Sequence, residues 1–76
     1  MTADDVKQLL VEPFAGAQIE VQGEGAKYDI TIVSDAFDGK RPVARQQMVY
    51  AALNEHIASG EIHAVTMNLK TTSEAA

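Results

Sequence analysis

The sequence contains no cysteine and no tryptophan, and no apolar run in it approaches the roughly 20 residues that a membrane-spanning helix needs. Without cysteine, neither a disulfide nor a thiolate-bound zinc can brace the fold, and there is no thiol nucleophile. The start, Met1-Thr2-Ala3-Asp4-Asp5, lacks the basic and apolar stretches of a secretory signal, so a cytoplasmic location is expected. Aromatic side chains are few, namely Phe14, Tyr28, Phe37 and Tyr50, which leaves the core to Val, Ile, Leu and Ala. Basic residues are also scarce: 6 against 11 acidic ones give a net charge of −5. Such a surface repels phosphate backbones unless its cations cluster.

What is present suits one small domain. A chain of 76 residues with 46% hydrophobic content is too apolar to stay disordered. At this length only about 60–65% of the unfolded surface is buried, so the core is thin. Thr2 and Asp5 have the spacing of a capping box, and Val6, Leu9 and Leu10 mark one helix face, which predicts a helix over 3–12 ended by Pro13. Ile19 and Val21 alternate with Gln18, Glu20 and Gln22. Tyr28, Ile30 and Ile32 alternate in the same way, and Gly23-Glu24-Gly25-Ala26 separates the two runs. That pattern is an antiparallel hairpin. Asp38-Gly39 marks a loop, and Pro42 suits a first helical turn. Val43, Val49, Tyr50, Leu53 and Ile57 form the stripe of a second helix, which Ser59-Gly60 ends and which could break near Gln46-Gln47. A last strand over 62–69 places His63, Val65, Met67 and Leu69 on one face.

The expected order is therefore α-β-β-α-β, an α+β domain. The second helix is long enough to make the second and third strands parallel with a right-handed crossover. The simplest architecture is a three-stranded mixed sheet with both helices on one face. Residues 1–70 form this domain, and 71–76 are expected to be a disordered tail.

Signals for catalysis are weak. No Ser sits in a G-x-S-x-G elbow, and Gly23-x-Gly25 precedes a strand, so it cannot be a dinucleotide-binding turn. The carboxylates are scattered over turns and exposed faces, so no enzyme activity is expected. His56 falls in the last turn of the second helix, where a cation interacts well with the helix dipole. His63 opens the last strand, and there both a satisfied rim histidine and a functional ligand are open readings. A single imidazole holds no metal alone, and soft iron sites call for thiolates that this chain lacks. Lys40, Arg41 and Arg45, with Lys27 as a possible neighbour, form the one candidate surface for an anionic partner. The alternative is a solvated helix start, and no G-x-x-G loop accompanies the cations.

Phe37-Asp38-Gly39, then Arg45-Gln46-Gln47-Met48-Val49-Tyr50 with Leu53, then Ile62-His63-Ala64-Val65, resemble the signature of BolA proteins, most of all the short, acid-stress-associated IbaG-like branch. The resemblance runs from the first helix to the last strand. It implies a fold like a class II KH domain and a non-enzymatic adaptor that pairs with a monothiol glutaredoxin. In such a pair, glutaredoxin cysteine and glutathione thiolates hold one side of a shared [2Fe–2S] cluster. A histidine matching His63 serves on the other side, so no cofactor is expected in the isolated chain. Cluster trafficking and iron or stress regulation are the implied roles. A KH-like, nucleic-acid-binding transcriptional regulator of the stress response is the alternative.

The sequence departs from the family pattern twice. The first hairpin carries no second His or Cys ligand; Lys27 stands at that position. In Thr71-Thr72-Ser73-Glu74-Ala75 the Thr and Glu that commonly begin a further helix are kept but the Pro and Trp are missing, which implies that this helix is absent or disordered.

Overall fold

Thr2 begins the structure by capping the first helix, α1 (Ala3–Val11), in this computed structural model, which describes residues 1–75. The Thr2 hydroxyl accepts from the Asp5 N–H at 3.2 Å, and Asp5 Oδ2 accepts from the Thr2 N–H at 2.9 Å. The Thr2 N–H first, and the Thr2 hydroxyl second, hold the Asp5 carboxyl below its usual range. Val6 and Leu10 are the fully buried residues of α1.

The expected hairpin follows as β1 (Gln18–Glu24) and β2 (Lys27–Val33), antiparallel, with Glu24 opposite Lys27. Gly25-Ala26 is thus a two-residue turn. Only its first residue has positive φ, +66°, which is the type II′ requirement. Gly23 has a different task. A Cβ there, at φ +127°, would lie 2.2 Å from the Lys27 carbonyl oxygen, so the hairpin closes tightly only around glycine.

After a 3₁₀ turn (Asp35–Phe37), α2 (Pro42–Ala58) crosses over and β3 (Ala64–Lys70) pairs parallel to β2. The sheet order is β1-β2-β3. Ile19, Tyr28, Ile30 and Ile32 point inward and meet Val6, Leu10, Phe14, Phe37, Val49, Leu53 and Ile62 in one core. Val65, Met67 and Leu69 pack partly against it, while the opposite sheet face, with Glu20, Asp29, Thr66 and Asn68, is exposed. The Phe14 and Phe37 rings lie 5.5 Å apart at 48°. Buried Tyr28 places its Oη 2.6 Å from the carbonyl oxygens of both Met1 and Gly25, tying the N-terminus to the hairpin turn.

Three expectations change. α2 is unbroken through Gln46-Gln47, because neither glutamine interrupts the backbone ladder and Val49 and Leu53 bury the helix beyond them. Val43 and Tyr50 are exposed, since helical spacing turns them away from the Val49–Leu53 line. The tail is not disordered over 71–75. A short helix, α3 (Thr72–Ala75), follows β3. Thr71-x-x-Glu74 is itself a capping box: the Thr71 N–H donates to Glu74 Oε1 at 2.8 Å and the Glu74 N–H to Thr71 Oγ1 at 3.2 Å. These bonds start the helix without a Pro or a Trp. The last tail residue, Ala76, lies outside the described residues.

Gly23→Ala should destabilise the domain by about 1–3 kcal/mol, measured by urea unfolding, through strain and collision with the β2 backbone. Gly16→Ala meets no atom within 4 Å and should lose less.

Candidate functional site

Two ends of the sheet carry the residues singled out above, and they are separated by the length of β2, about 20 Å at 3.3 Å per residue. The hairpin end holds His63 and Lys27. The other end holds Lys40, Arg41 and Arg45.

At the hairpin end, α2 stops at Ala58 and Gly60 turns the chain at φ +84°. The Ile62 N–H donates to the His56 carbonyl at 3.1 Å, and the Ile62 side chain is buried in the core. That turn withdraws Ile62 from the ladder, so β3 starts at Ala64 and His63 stands one residue before it, outside the strand expected over 62–69. The His63 N–H donates to the Ala26 carbonyl at 2.7 Å, and the Ala64 N–H donates to the same oxygen at 3.1 Å. The backbone of His63 is therefore clamped between a buried anchor and the hairpin turn. Its side chain is exposed and does not share the half-buried setting of Val65, Met67 and Leu69. Among the described residues its imidazole has no hydrogen-bond partner, so both ring nitrogens face solvent unengaged.

His56 differs. Its Nδ1 lies 3.0 Å from Glu61 Oε1, which also accepts from the Ser59 hydroxyl at 3.0 Å. The His56 contact first, and the Ser59 hydroxyl second, hold the Glu61 carboxyl below its usual range. This ring secures the α2–β3 connection.

Lys27 pairs in register with Ala64, next to His63, and its side chain joins Glu24, Asp29 and Thr66 around an open hollow of 440 Å³. The hairpin backbone thus runs beside the His63–Ala64 step, and the residue it places in register there is a lysine. Among the described residues no three His, Cys, Asp or Glu side chains gather into a metal site.

At the far end, Lys40 and Arg41 are exposed, but Arg45 is only 12% exposed and fully engaged. Its Nε donates to the Lys40 carbonyl at 2.8 Å, and its Nη1 to the Leu69 carbonyl at 3.1 Å. Nη1 and Nη2 reach Glu74 Oε1 and Oε2 at 2.7 and 3.3 Å, and the guanidinium lies 5.9 Å from the Phe37 ring centre. Arg45 first, then the Thr71 N–H, lowers the Glu74 carboxyl from 4.5 to about 2. The four cations do not form one patch: Lys27 is at the opposite end, and Arg45 is consumed inside the fold. Sequence reading missed Arg45's structural role although the signal was present, since Arg45, Val49 and Leu53 recur at i, i+4, i+8 on the buried face.

A profile of the family described as BolA-like protein matches residues 11–74. The chain belongs to the BolA family. A protein of Acinetobacter guillouiae, described as an uncharacterized protein in the rpoN-murA intergenic region, is 47% identical over 74 residues, covering 97% of this chain and 89% of that protein. The acid stress protein IbaG of Escherichia coli K12 is 33% identical, with 97% and 88% coverage. The structure of BolA1 from Arabidopsis thaliana superposes with a TM-score of 0.85 at 25% identity, covering 97% of this chain and 95% of that one. These BolA relatives are similar over nearly their whole length, and none indicates an enzyme family.

The Glu74 contact gives a pH prediction. A carboxyl lowered in the folded state contributes stability that is complete above its unfolded value near 4.5 and lost as pH falls through about 2. Amide signals of 72–75 should therefore keep their folded positions at pH 5 and move toward random-coil positions between pH 4.5 and 2. In Glu74→Gln they should show no such step in that window.

Proposed function

We propose that this chain is a non-enzymatic, cytoplasmic adaptor that pairs with a monothiol glutaredoxin and shares a [2Fe–2S] cluster with it through His63. The observation that carries the reading is the exposed, unengaged imidazole on a backbone fixed twice over by Ile62 and Ala26. A ligand must offer a free nitrogen lone pair from a preset position, and His63 meets both conditions. Family membership and the Ile62-His63-Ala64-Val65 motif add support.

The donor set of this chain suits a shared cluster and does not suit a resident one. His63 contributes one nitrogen. The hairpin next to it carries no His or Cys, and the ammonium of Lys27 has no lone pair to give. The thiolates would come from the glutaredoxin cysteine and glutathione. The cluster, when bound, would have at least one imidazole ligand, which raises its reduction potential above that of an all-thiolate cluster. A single ligand from this side also leaves the cargo easy to hand on. Cluster trafficking or iron and stress regulation is the role that follows. No helix among the described residues is long and apolar enough to cross a membrane. The nucleic-acid reading has less support, because Arg45 is engaged inside the fold and Lys27 lies at the opposite end, which leaves only Lys40 and Arg41 together.

The test is co-expression with a monothiol glutaredoxin, followed by visible absorption and circular dichroism of the purified pair. The wild-type pair should carry cluster bands, and His63→Ala should lose the cluster at least about tenfold faster while the unlabelled proteins still associate. Unchanged spectra and lifetime in His63→Ala would show that His63 is not a ligand.

A further inference from the structure

Glu74 occupies a position that an external anion could take. The Arg45 guanidinium is fixed from behind by the Lys40 and Leu69 carbonyls and covered by the Phe37 ring, so its outward edge is preset before any anion arrives. That edge receives the Glu74 carboxylate in a two-pronged contact, the arrangement by which arginine also takes phosphate. Lys40, whose carbonyl holds Arg45 Nε, and its chain neighbour Arg41 are both exposed, and neither has an ion-pair partner among the described residues. Between Asp38 and Glu55 the chain carries no Asp or Glu, although its net charge is −5. Asp35 and Asp38 also lie at this end, but Glu74 is the carboxylate that pairs with Arg45 among the described residues.

The segment that carries Glu74 is held lightly. α3 has no buried residue, and the Glu74 side chain is 49% exposed. Its anchors are polar: the Thr71 capping bonds, the Arg45 contact and a 3.3 Å bond from the Thr72 N–H to Asp35 Oδ1. A half-exposed ion pair of this kind exchanges readily with solvent and salt.

We propose that Glu74 is an internal stand-in for a phosphate group: when α3 lifts, the outward edge of Arg45, flanked by Lys40 and Arg41, binds phosphate in its place. The tail then acts as a built-in competitor that keeps the site closed until a ligand of higher charge displaces it. Because Glu74 stays ionised down to about pH 2, mild acid does not open the site. Displacement by a competing anion does. The inference is independent of cluster binding at His63, which lies at the other end of the sheet.

The experiment compares wild type with Glu74→Ala by heteronuclear NMR during titration with inorganic phosphate at constant ionic strength. Removing the competitor should tighten apparent phosphate binding at least tenfold, the gain expected if the tail occupies the site about nine-tenths of the time. The shifts should centre on Lys40, Arg41, Arg45 and Leu69. Adding Lys40→Ala and Arg41→Ala to Glu74→Ala leaves the structural Arg45 intact and should reverse most of the gain. A parallel titration with a short single-stranded oligonucleotide identifies the source of the phosphate. Binding tighter than inorganic phosphate, with a steep salt dependence, assigns a polymer backbone, and equal or weaker binding assigns a small phosphate compound. No gain in Glu74→Ala, or shifts that map elsewhere, would overturn the proposal.

Discussion

The carbonyl oxygen of Ala26 accepts two consecutive amide protons, those of His63 and Ala64, and much of the molecule is arranged so that they can converge there. A parallel strand pair cannot be closed by a tight turn, so β3 can reach β2 only after the long crossover through α2. The end of that crossover has to arrive beside the hairpin turn, and Ile62 secures it by burying its side chain under the sheet. The turn in turn depends on glycine at 23 and 25, which lets β1 and β2 close with a single carbonyl directed at the incoming strand. From this one acceptor the parallel register runs from Lys27–Ala64 to Val33–Lys70. The exposure of His63 follows from the same constraint. Its backbone is spent on the junction, and its side chain has nothing left to pack against.

The opposite end of the sheet solves a different problem. A guanidinium that is nearly removed from water needs its donors satisfied, since an unpaired buried charge is costly. Arg45 meets that need with two carbonyls, a carboxylate and an aromatic face, and in doing so joins α2, β3, α3 and the 3₁₀ turn. The two ends thus use their polar groups in contrasting ways. One leaves an imidazole free, and the other binds a cation with an acid from its own chain.

Much of the fold was legible in the sequence because its signals are local and regular. Alternation in Tyr28, Ile30 and Ile32, the glycines at 23 and 25, and the single long helical stripe between two strands led to the hairpin and the parallel crossover. The misreadings concern residues whose roles depend on distant partners. Glu74 looks like tail charge until Arg45, far away in sequence, provides its counterion. Arg45 reads as basic surface by its charge, whereas its place on the Val49–Leu53 face points inward. Tyr50 reads as part of the helical stripe with Val49, Leu53 and Ile57, but its angle on the helix turns it to solvent. His63 was identified from its motif, but its freedom from partners became visible only with the Ile62 and Ala26 contacts in place.

The proposed role of His63 is to bind iron through a ring nitrogen in a cluster shared with a glutaredoxin. The most direct measurement is pulsed electron paramagnetic resonance on the reduced complex, prepared with this chain labelled with ¹⁵N-histidine and the glutaredoxin unlabelled. A strong hyperfine coupling from a directly bound ¹⁵N is expected, one that vanishes in His63→Ala and persists in His56→Ala. A reduced cluster with no strongly coupled histidine nitrogen from this chain would contradict it.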